Sequence, residues 1–384
     1  MSPAIPYWRL AGFYFFFFAI VGGLAPYWGP YLRYRGFDAV AIGELIAILH
    51  ATKIIAPNLW GWIADHTGRR LSIIRFAALV AMVAFSGVFV GGGFWWFAVL
   101  IAVFSFFWNA ALPQFEANTF NHLGAAAHRY SRIRAWGSVG FMVSVVAIGE
   151  ATERLGLSAL PVLVLGLFAG LWFMSLLAPQ ASQTGHDTGH ETFLRVLARP
   201  GVMGFFIACF LLQASHGPFY AFYSIYLEDH GYSGGMIGIL WAVGVAAEIA
   251  VFLVAHRWLF RFDARRLFVA ALSLAVVRWY LVGSFPSLLA VQFLAQTLHA
   301  ATFGVYHAVA ISLVNRFFTG RNQGRGQAFY SSMTFGAGVA TGSLAAGRLW
   351  ATAGGAGTFF VAAAVAAAGT VVAYRSVPAQ RIGR

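Results

Sequence analysis

The sequence predicts an all-α membrane protein: twelve transmembrane helices in two pseudo-symmetric six-helix bundles. Three observations carry that prediction, namely composition, the spacing of the apolar segments and an internal repeat. Of 384 residues, 60% are hydrophobic, 17% aromatic and only 10% charged, whereas a soluble domain carries roughly 25% charged residues. A helix needs about 20 apolar residues to cross a bilayer, and segments of that kind recur along the whole chain.

Six spans lie near residues 10–33, 40–63, 71–92, 94–121, 131–150 and 157–178. Six more lie near 201–227, 236–257, 266–283, 287–315, 327–349 and 357–375. The first apolar run, from Leu10 to Leu32, is too long for a signal-peptide core, and no small-residue cleavage site follows it. It is read as the first span. The most polar stretch, "QASQTGHDTGHETF" (Gln180 to Phe193), joins the halves and reads as a flexible cytoplasmic linker leading into a short surface helix. The expected division is residues 1–178 for the first bundle, 179–196 for the linker and 197–384 for the second bundle.

The halves repeat. A shift of 195 residues places "YLRYRGF" (Tyr31 to Phe37) on "YLEDHGY" (Tyr226 to Tyr232) and Ile42-Gly43 on Ile237-Gly238. One residue later in register, "GRRL" (Gly68 to Leu71) meets "ARRL" (Ala264 to Leu267). Two six-span halves in parallel repeat are a plan of secondary transporters, whose substrate site lies at the repeat interface near the bilayer midplane. The same shift sets Lys53, the only lysine in the chain, on Glu248.

The net charge of +13 does not point to nucleic acid. With a cytoplasmic N-terminus, Arg9, Arg69, Arg70, Arg129, Arg132, Arg195, Arg199, Arg257, Arg261, Arg265, Arg266, Arg316, Arg321, Arg325, Arg375, Arg381 and Arg384 fall on one side. That is 17 arginines against four, Arg33, Arg35, Arg154 and Arg348, on the other. This asymmetry orients helical membrane proteins, so both termini are expected in the cytoplasm and the basic excess is topological. The single cysteine, Cys209, reads as a small buried hydrophobe. No His/Cys/carboxylate cluster has metal spacing, and neither a Walker loop nor a GxSxG elbow occurs. Neither ATP-driven transport nor hydrolysis is supported, and no metal or other cofactor is expected.

"GWIADHTGRR" (Gly61 to Arg70) between spans 2 and 3 resembles the signature loop of the major facilitator superfamily, with His66 departing from the usual basic residue. Gly61, Asp65, Gly68, Arg69 and Arg70 are thereby gating candidates; a plain positive-inside turn is the alternative. A wider resemblance covers nearly the entire chain. "FYFFFFAIVGGLAPYWGPYL", "IGELIAILHATKIIAPNLWGWIAD", "FSFFWNAALPQFEANTFNHLG", "RYSRIRAWGSVGF" and "LHAATFGVYHA" resemble the phenylpropionate permease group of that superfamily, which is related to lactose permease-type proton symporters. The resemblance implies the major facilitator fold and uptake of a small molecule with protons. It also implies cavity-facing positions for Glu116, Arg134, Glu248, Arg278 and His299, with an Arg134–Glu116 pair that holds substrate. Where lactose permease has a glutamate soon after its span-10 histidine, this chain reads "HAAT" and offers Thr302. Proton coupling is then expected at Glu248 or Glu116.

The buried charges support the same reading independently. A charge near a helix centre costs roughly 2.5–3.5 kcal/mol on insertion scales, so these groups pair or face a wet cavity. Structural ion pairs that lock the halves are the alternative. Lys53 lies about eight residues, roughly 12 Å, from the cytoplasmic loop, too far for its stem to bridge alone. Lys53, Arg134 and Arg278 against Glu116 and Glu248 leave one positive charge, which favours a monoanion such as a small carboxylate. Lysine suits release and recapture because burial lets it lose its proton, whereas arginine stays charged. His50, at i−3, shares the helix face of Lys53.

Asn109, seven residues before Glu116, and the aromatics Trp108, Trp136 and Tyr306 complete the substrate-binding candidates, with interfacial anchoring as the alternative for the aromatics. His216 and His307 read as hydrogen-bonded helix residues, and Glu44 as interfacial or cavity-facing. The expected protein is a monomeric permease of the cell inner membrane, working by alternating access on an aromatic carboxylate with protons and lipid as its other partners. A proton-coupled sugar or nucleoside permease is the nearest rival. A drug exporter is disfavoured because "WGSVGFMVSVVAIGE" (Trp136 to Glu150) lacks an antiporter-type proline.

Overall fold

The computed structural model describes residues 5–180, 193–320 and 322–379, with the side chains of Ala125 and residues 254–261 outside that description. All regular structure among them is helical. The chain runs α1 (Tyr7–Tyr34), α2 (Ala39–Thr67), α3 (Arg70–Ser86), α4 (Phe94–Leu123), α5 (Tyr130–Leu155) and α6 (Leu160–Leu177). A short α7 (Phe193–Leu197) precedes α8 (Pro200–Asp229), α9 (Gly234–Arg261) and α10 (Ala264–Ser284). The polar linker residues 181–192 lie outside the described residues. Then come α11 (Leu289–Thr297), a π-helical segment Ala300–Val305, and α12 (Tyr306–Phe317). Last are α13 (Asn322–Ser331), a second π-helical segment Ser332–Gly338, and α14 (Val339–Ser376).

Eleven helices among the described residues are long and apolar enough to cross a membrane, and the last of them runs 55 residues from Asn322 to Ser376. A continuous helix of that length would extend about 80 Å, far beyond a bilayer. It breaks at Gly354, whose φ of +68° interrupts the helical dihedrals and is open to glycine without steric cost. The break divides the segment into two crossings and yields the twelve spans expected from hydropathy.

The repeat is built into local geometry. Helices α2 and α9 begin 195 residues apart, and α1 and α8 end 195 residues apart. In the turns between them, Gly36 and Gly231 both adopt left-handed dihedrals, with φ of +87° and +84°. Asp38 Oδ1 then accepts from Ala41 N at 2.8 Å, and its counterpart Ser233 Oγ accepts from Met236 N at 3.3 Å. Both are side-chain caps that satisfy an orphan donor of the first turn.

The chain forms two compact units. One comprises Met1–Phe37, Ala51–Gly185 and Ser233–Ile239; the other comprises Asp38–His50, His186–Tyr232 and Leu240–Arg384. Each unit thus takes most of its own half together with the first turns of α9 or α2 from the other half.

In the first unit, α1 packs against α5 and α6, and α3 against α4 and α6. The α1–α5 approach is close because glycines line it. A methyl on Gly22 would sit 2.7 Å from the Phe141 carbonyl oxygen, and one on Gly140 would overlap the Phe15 carbonyl. Ser144 Oγ donates to the Ala19 carbonyl at 2.6 Å and Tyr27 OH to the Val145 carbonyl at 2.7 Å. Trp28, Phe85, Phe97, Phe104 and Phe168 form the aromatic core.

In the second unit, α8 and α14 make the corresponding contact. Gly217, which the 195 shift pairs with Gly22, meets the Gly342 backbone, and a methyl on Gly342 would overlap the Ala214 carbonyl. Ser343 Oγ donates to the Gly217 carbonyl at 3.4 Å. Small residues at such crossings let backbones pack where lipid offers no hydrophobic drive between helices.

Candidate functional site

In the first unit, α4 and α5 bring Glu116 and Arg134 together, with Arg134 Nε 3.9 Å from Glu116 Oε1. That separation is an ion pair but exceeds a hydrogen bond. Glu116 Oε1 accepts instead from Tyr130 OH at 2.9 Å. The Arg134 guanidinium lies 3.8 Å from the ring centre of Phe18 and 5.8 Å from that of Tyr14, both on α1. Tyr14 OH in turn donates to Thr119 Oγ1 at 3.2 Å. Both charged side chains are about one-third exposed, at 30% and 35%. Arg134 therefore presents guanidinium N–H groups that no side-chain acceptor among the described residues occupies.

Lys53 sits half-buried on α2. Its neighbour Thr52 accepts from Asn109 Nδ2 at 3.0 Å and lies 2.9 Å from Ser105 Oγ, so α2 and α4 are tied by a neutral hydrogen-bonded trio. His50 instead belongs to the second unit, where its ring lies 5.7 Å from that of Tyr220. Trp136 Nε1 donates to Tyr7 OH at 3.0 Å, and its ring meets Trp8 edge-on at 5.4 Å. Trp108 is buried and stacks on Phe17 at 5.2 Å.

The second unit carries a denser cluster. Arg278 on α10 is fully buried. Its Nη1 contacts His299 Nδ1 at 3.0 Å and donates to Thr302 Oγ1 at 3.2 Å; Nη2 donates to Gln296 Oε1 at 3.3 Å. The rings of Phe219 and Trp279 lie 4.5 Å from the guanidinium carbon. On its other side, His299 Nε2 faces Glu248 Oε2 at 3.7 Å. Glu248, His299 and Arg278 thus form one chain across α9, the segment after α11, and α10.

Tyr306 does not join this chain. It is fully buried, with its ring 5.6 Å from Phe268 and 6.5 Å from Tyr330. His216 Nδ1 lies 2.9 Å from the Leu212 carbonyl and His307 Nδ1 lies 3.2 Å from Tyr330 OH, so both histidines are hydrogen-bonded. Glu44 pairs with Arg348 at 3.2 Å. Tyr130, Phe18, Gln296 and Phe219 contribute to the two clusters without having stood out in the sequence. Tyr130 is the second residue of "RYSRIRAWG", four residues before Arg134, and that helical spacing was the available signal.

In the signature loop, Asp65 pairs with Arg70. Gly68 takes φ of +67°, and its carbonyl accepts from Gln180 Nε2 at 3.1 Å. Gly61 faces Gln114, and Arg69 N donates to Thr67 Oγ1 at 3.4 Å. The chain leaving α6 is held nearby: Arg75 donates to the carbonyls of Ser175, Leu176 and Ala178, and Asn118 Nδ2 to that of Pro179 at 3.1 Å.

A family model described as the MFS_1 like family matches residues 7–362. A probable 3-phenylpropionic acid transporter of Escherichia coli (strain K12) is 28% identical over 376 residues, covering 94% of each chain. A maltose permease of Geobacillus stearothermophilus is 25% identical, covering 88% of this chain and 86% of its own. The crystal structure of the nucleoside transporter NupG superimposes with a TM-score of 0.81 at 17% identity, over 95% of this chain and 96% of that one. At that identity the likeness is one of fold.

Proposed function

The chain belongs to the MFS_1 like family and is a multi-pass secondary transporter rather than an enzyme; from that premise we propose that it imports a small aromatic carboxylate with protons. The observation that carries the reading is Arg134. It is one-third exposed, lies against Phe18 and Tyr14, and stands beyond hydrogen-bond reach of its own glutamate. A planar guanidinium on an aromatic wall suits a ligand with a carboxylate at one end and a ring at the other, because arginine binds carboxylates in bidentate fashion and rings pair edge-on or offset. The relative named for 3-phenylpropionic acid supports the same chemistry.

In this reading Lys53 and Arg134 hold the anion, Asn109 and Trp136 shape its surroundings, and Glu116 competes with it for Arg134. Glu248 carries the proton. Protonation there removes one charge from the second unit's cluster and permits the switch between access states. The loop from Gly61 to Arg70 works as the cytoplasmic gate, with the Asp65–Arg70 pair as its fastener. The protein acts as a monomer in the bacterial inner membrane with both termini cytoplasmic.

A sugar or nucleoside substrate is the second reading. It is favoured by the neutral trio of Thr52, Ser105 and Asn109 beside Lys53 and by the maltose permease relative. Uptake of labelled 3-phenylpropionate into proteoliposomes under an imposed proton gradient separates them. Saturable uptake, collapsed by a protonophore and competed by aromatic carboxylates but not by maltose or uridine, is expected. Lys53→Met is expected to lower kcat/KM about tenfold, by analogy with loss of one charged hydrogen bond. Competition by maltose or uridine alone would sink the carboxylate reading, and normal transport by Lys53→Met would remove the lysine from the site.

A further inference from the structure

We infer that Arg278 is a positioning residue that fixes His299 as a neutral imidazole with its proton on Nε2, which makes His299 a hydrogen-bond donor and leaves Glu248 to carry the transported proton. The inference rests on the proton-coupled reading above for its functional part and on geometry for its chemical part.

A guanidinium has only donors. Because Arg278 Nη1 contacts His299 Nδ1 at 3.0 Å, that nitrogen accepts with its lone pair. A neutral ring then holds its single proton on Nε2, since the bond made by one nitrogen sets the state of the other. An imidazolium has no lone pair to offer. Protonating His299 would therefore break the contact and set two cations side by side in a buried site.

Arg278 has little freedom to move away. It is fully buried, its second nitrogen donates to Gln296, its first donates also to Thr302, and Phe219 and Trp279 lie against it. The His299 ring is held too, stacked on Phe303 at 5.1 Å.

The groups facing His299 from the packed helices agree with this assignment. Arg278 comes from α10, Glu248 from α9, and His216 with Phe219 from α8. His216 Nδ1 lies 2.9 Å from the Leu212 carbonyl, which only accepts, so His216 carries a proton on Nδ1, the opposite arrangement. The His299 Nε2–H then faces Glu248 Oε2 across 3.7 Å, beyond a hydrogen bond but within a small side-chain adjustment of one. His299 is set to recognise an acceptor there, either the Glu248 carboxylate or an oxygen of the substrate.

The test is nitrogen NMR on histidine-labelled transporter in lipid, without substrate. Subtracting the spectrum of His299→Gln isolates His299 from the chain's 11 histidines. The expected difference is one protonated nitrogen and one bare nitrogen, with correlations to the ring carbons assigning the proton to Nε2, unchanged from about pH 8 to about pH 5. Protonation of both nitrogens within that range, or a proton on Nδ1, would overturn the inference. In Arg278→Leu the signal is expected to split between tautomers or to titrate; an unchanged Nε2–H signal there would also overturn it. Should that variant fail to fold, Glu248→Gln decides. The same tautomer is expected because Arg278 sets it, and a switch of tautomer would assign control to Glu248 instead. Since no substrate is present, failure of the phenylpropionate assay leaves this readout intact, and the two hypotheses fail separately.

Discussion

The two units each place an arginine beside a glutamate, yet they treat the pair differently. In the first, Arg134 and Glu116 are one-third exposed and 3.9 Å apart, and Tyr130 donates to the carboxylate. In the second, Arg278 is fully buried, bonded to three side chains, and linked to Glu248 through His299. The Arg278 donors are taken by side chains of its own unit, whereas no side-chain acceptor among the described residues takes a hydrogen bond from Arg134. The same pairing of arginine with glutamate thus gives a more exposed cluster in one unit and a fully buried one in the other. That difference revises the net +1 bookkeeping drawn from sequence, because Arg278 is committed to side chains of its own unit.

The sharpest test pairs the two arginines. Arg278→Gln breaks a buried charged network, an effect of about 3–5 kcal/mol when one partner is removed. Its thermal unfolding in detergent is expected well below wild type, with little folded transporter recovered. Arg134→Gln is expected to unfold near the wild-type temperature while its kcat/KM for 3-phenylpropionate falls about 100-fold, the upper end of a lost charged hydrogen bond. Equal melting losses in both variants would erase the contrast.

The glutamates give the next largest difference. Glu248→Gln is expected to abolish accumulation driven by a proton gradient while retaining substrate exchange across the membrane. Glu116→Gln keeps an oxygen for Tyr130 and is expected to shift KM by less than about tenfold, with concentrative uptake preserved. Loss of accumulation in Glu116→Gln alone would move the proton to the first unit. Tyr130→Phe gives the smallest effect: removal of one hydrogen bond, about 1 kcal/mol, is expected to alter KM several-fold without touching the pH dependence of uptake.

Much of this arrangement was legible in the sequence, for identifiable reasons. Hydropathy marks helices wherever about 20 apolar residues meet a bilayer, so the twelve spans follow from it directly. The 195-residue shift is visible because equivalent turns need equivalent chemistry: Gly36 and Gly231 take the same left-handed dihedral, and Asp38 and Ser233 make the same cap. Glu116 and Arg134 were recognisable as partners through the resemblance of the segment around Arg134 to the start of span 5 in lactose permease.

What the sequence hid depends on helix phase. Tyr306 lies seven residues after His299, two turns along an ideal helix and on the same face. The π-helical segment Ala300–Val305 intervenes, and the wider turn carries the following residues round by an extra increment. Tyr306 accordingly packs against Phe268 and Tyr330 rather than beside Arg278. The tie between α8 and α10 through Phe219 was hidden for a related reason, since apolar sequences show no polar stripe from which to read which face meets which neighbour.

Lys53 also has a use that owes nothing to transport. It bears the only ε-amine in the chain and is half-buried on α2, while the sole thiol, Cys209, is sealed inside the second unit. An amine-directed reagent therefore has one side-chain target in the native sequence, and a thiol introduced elsewhere meets no accessible competitor in the folded state. That single side-chain amine adjoins the Thr52–Asn109 contact, so the rate of its modification follows access to that helix face without any substitution at all.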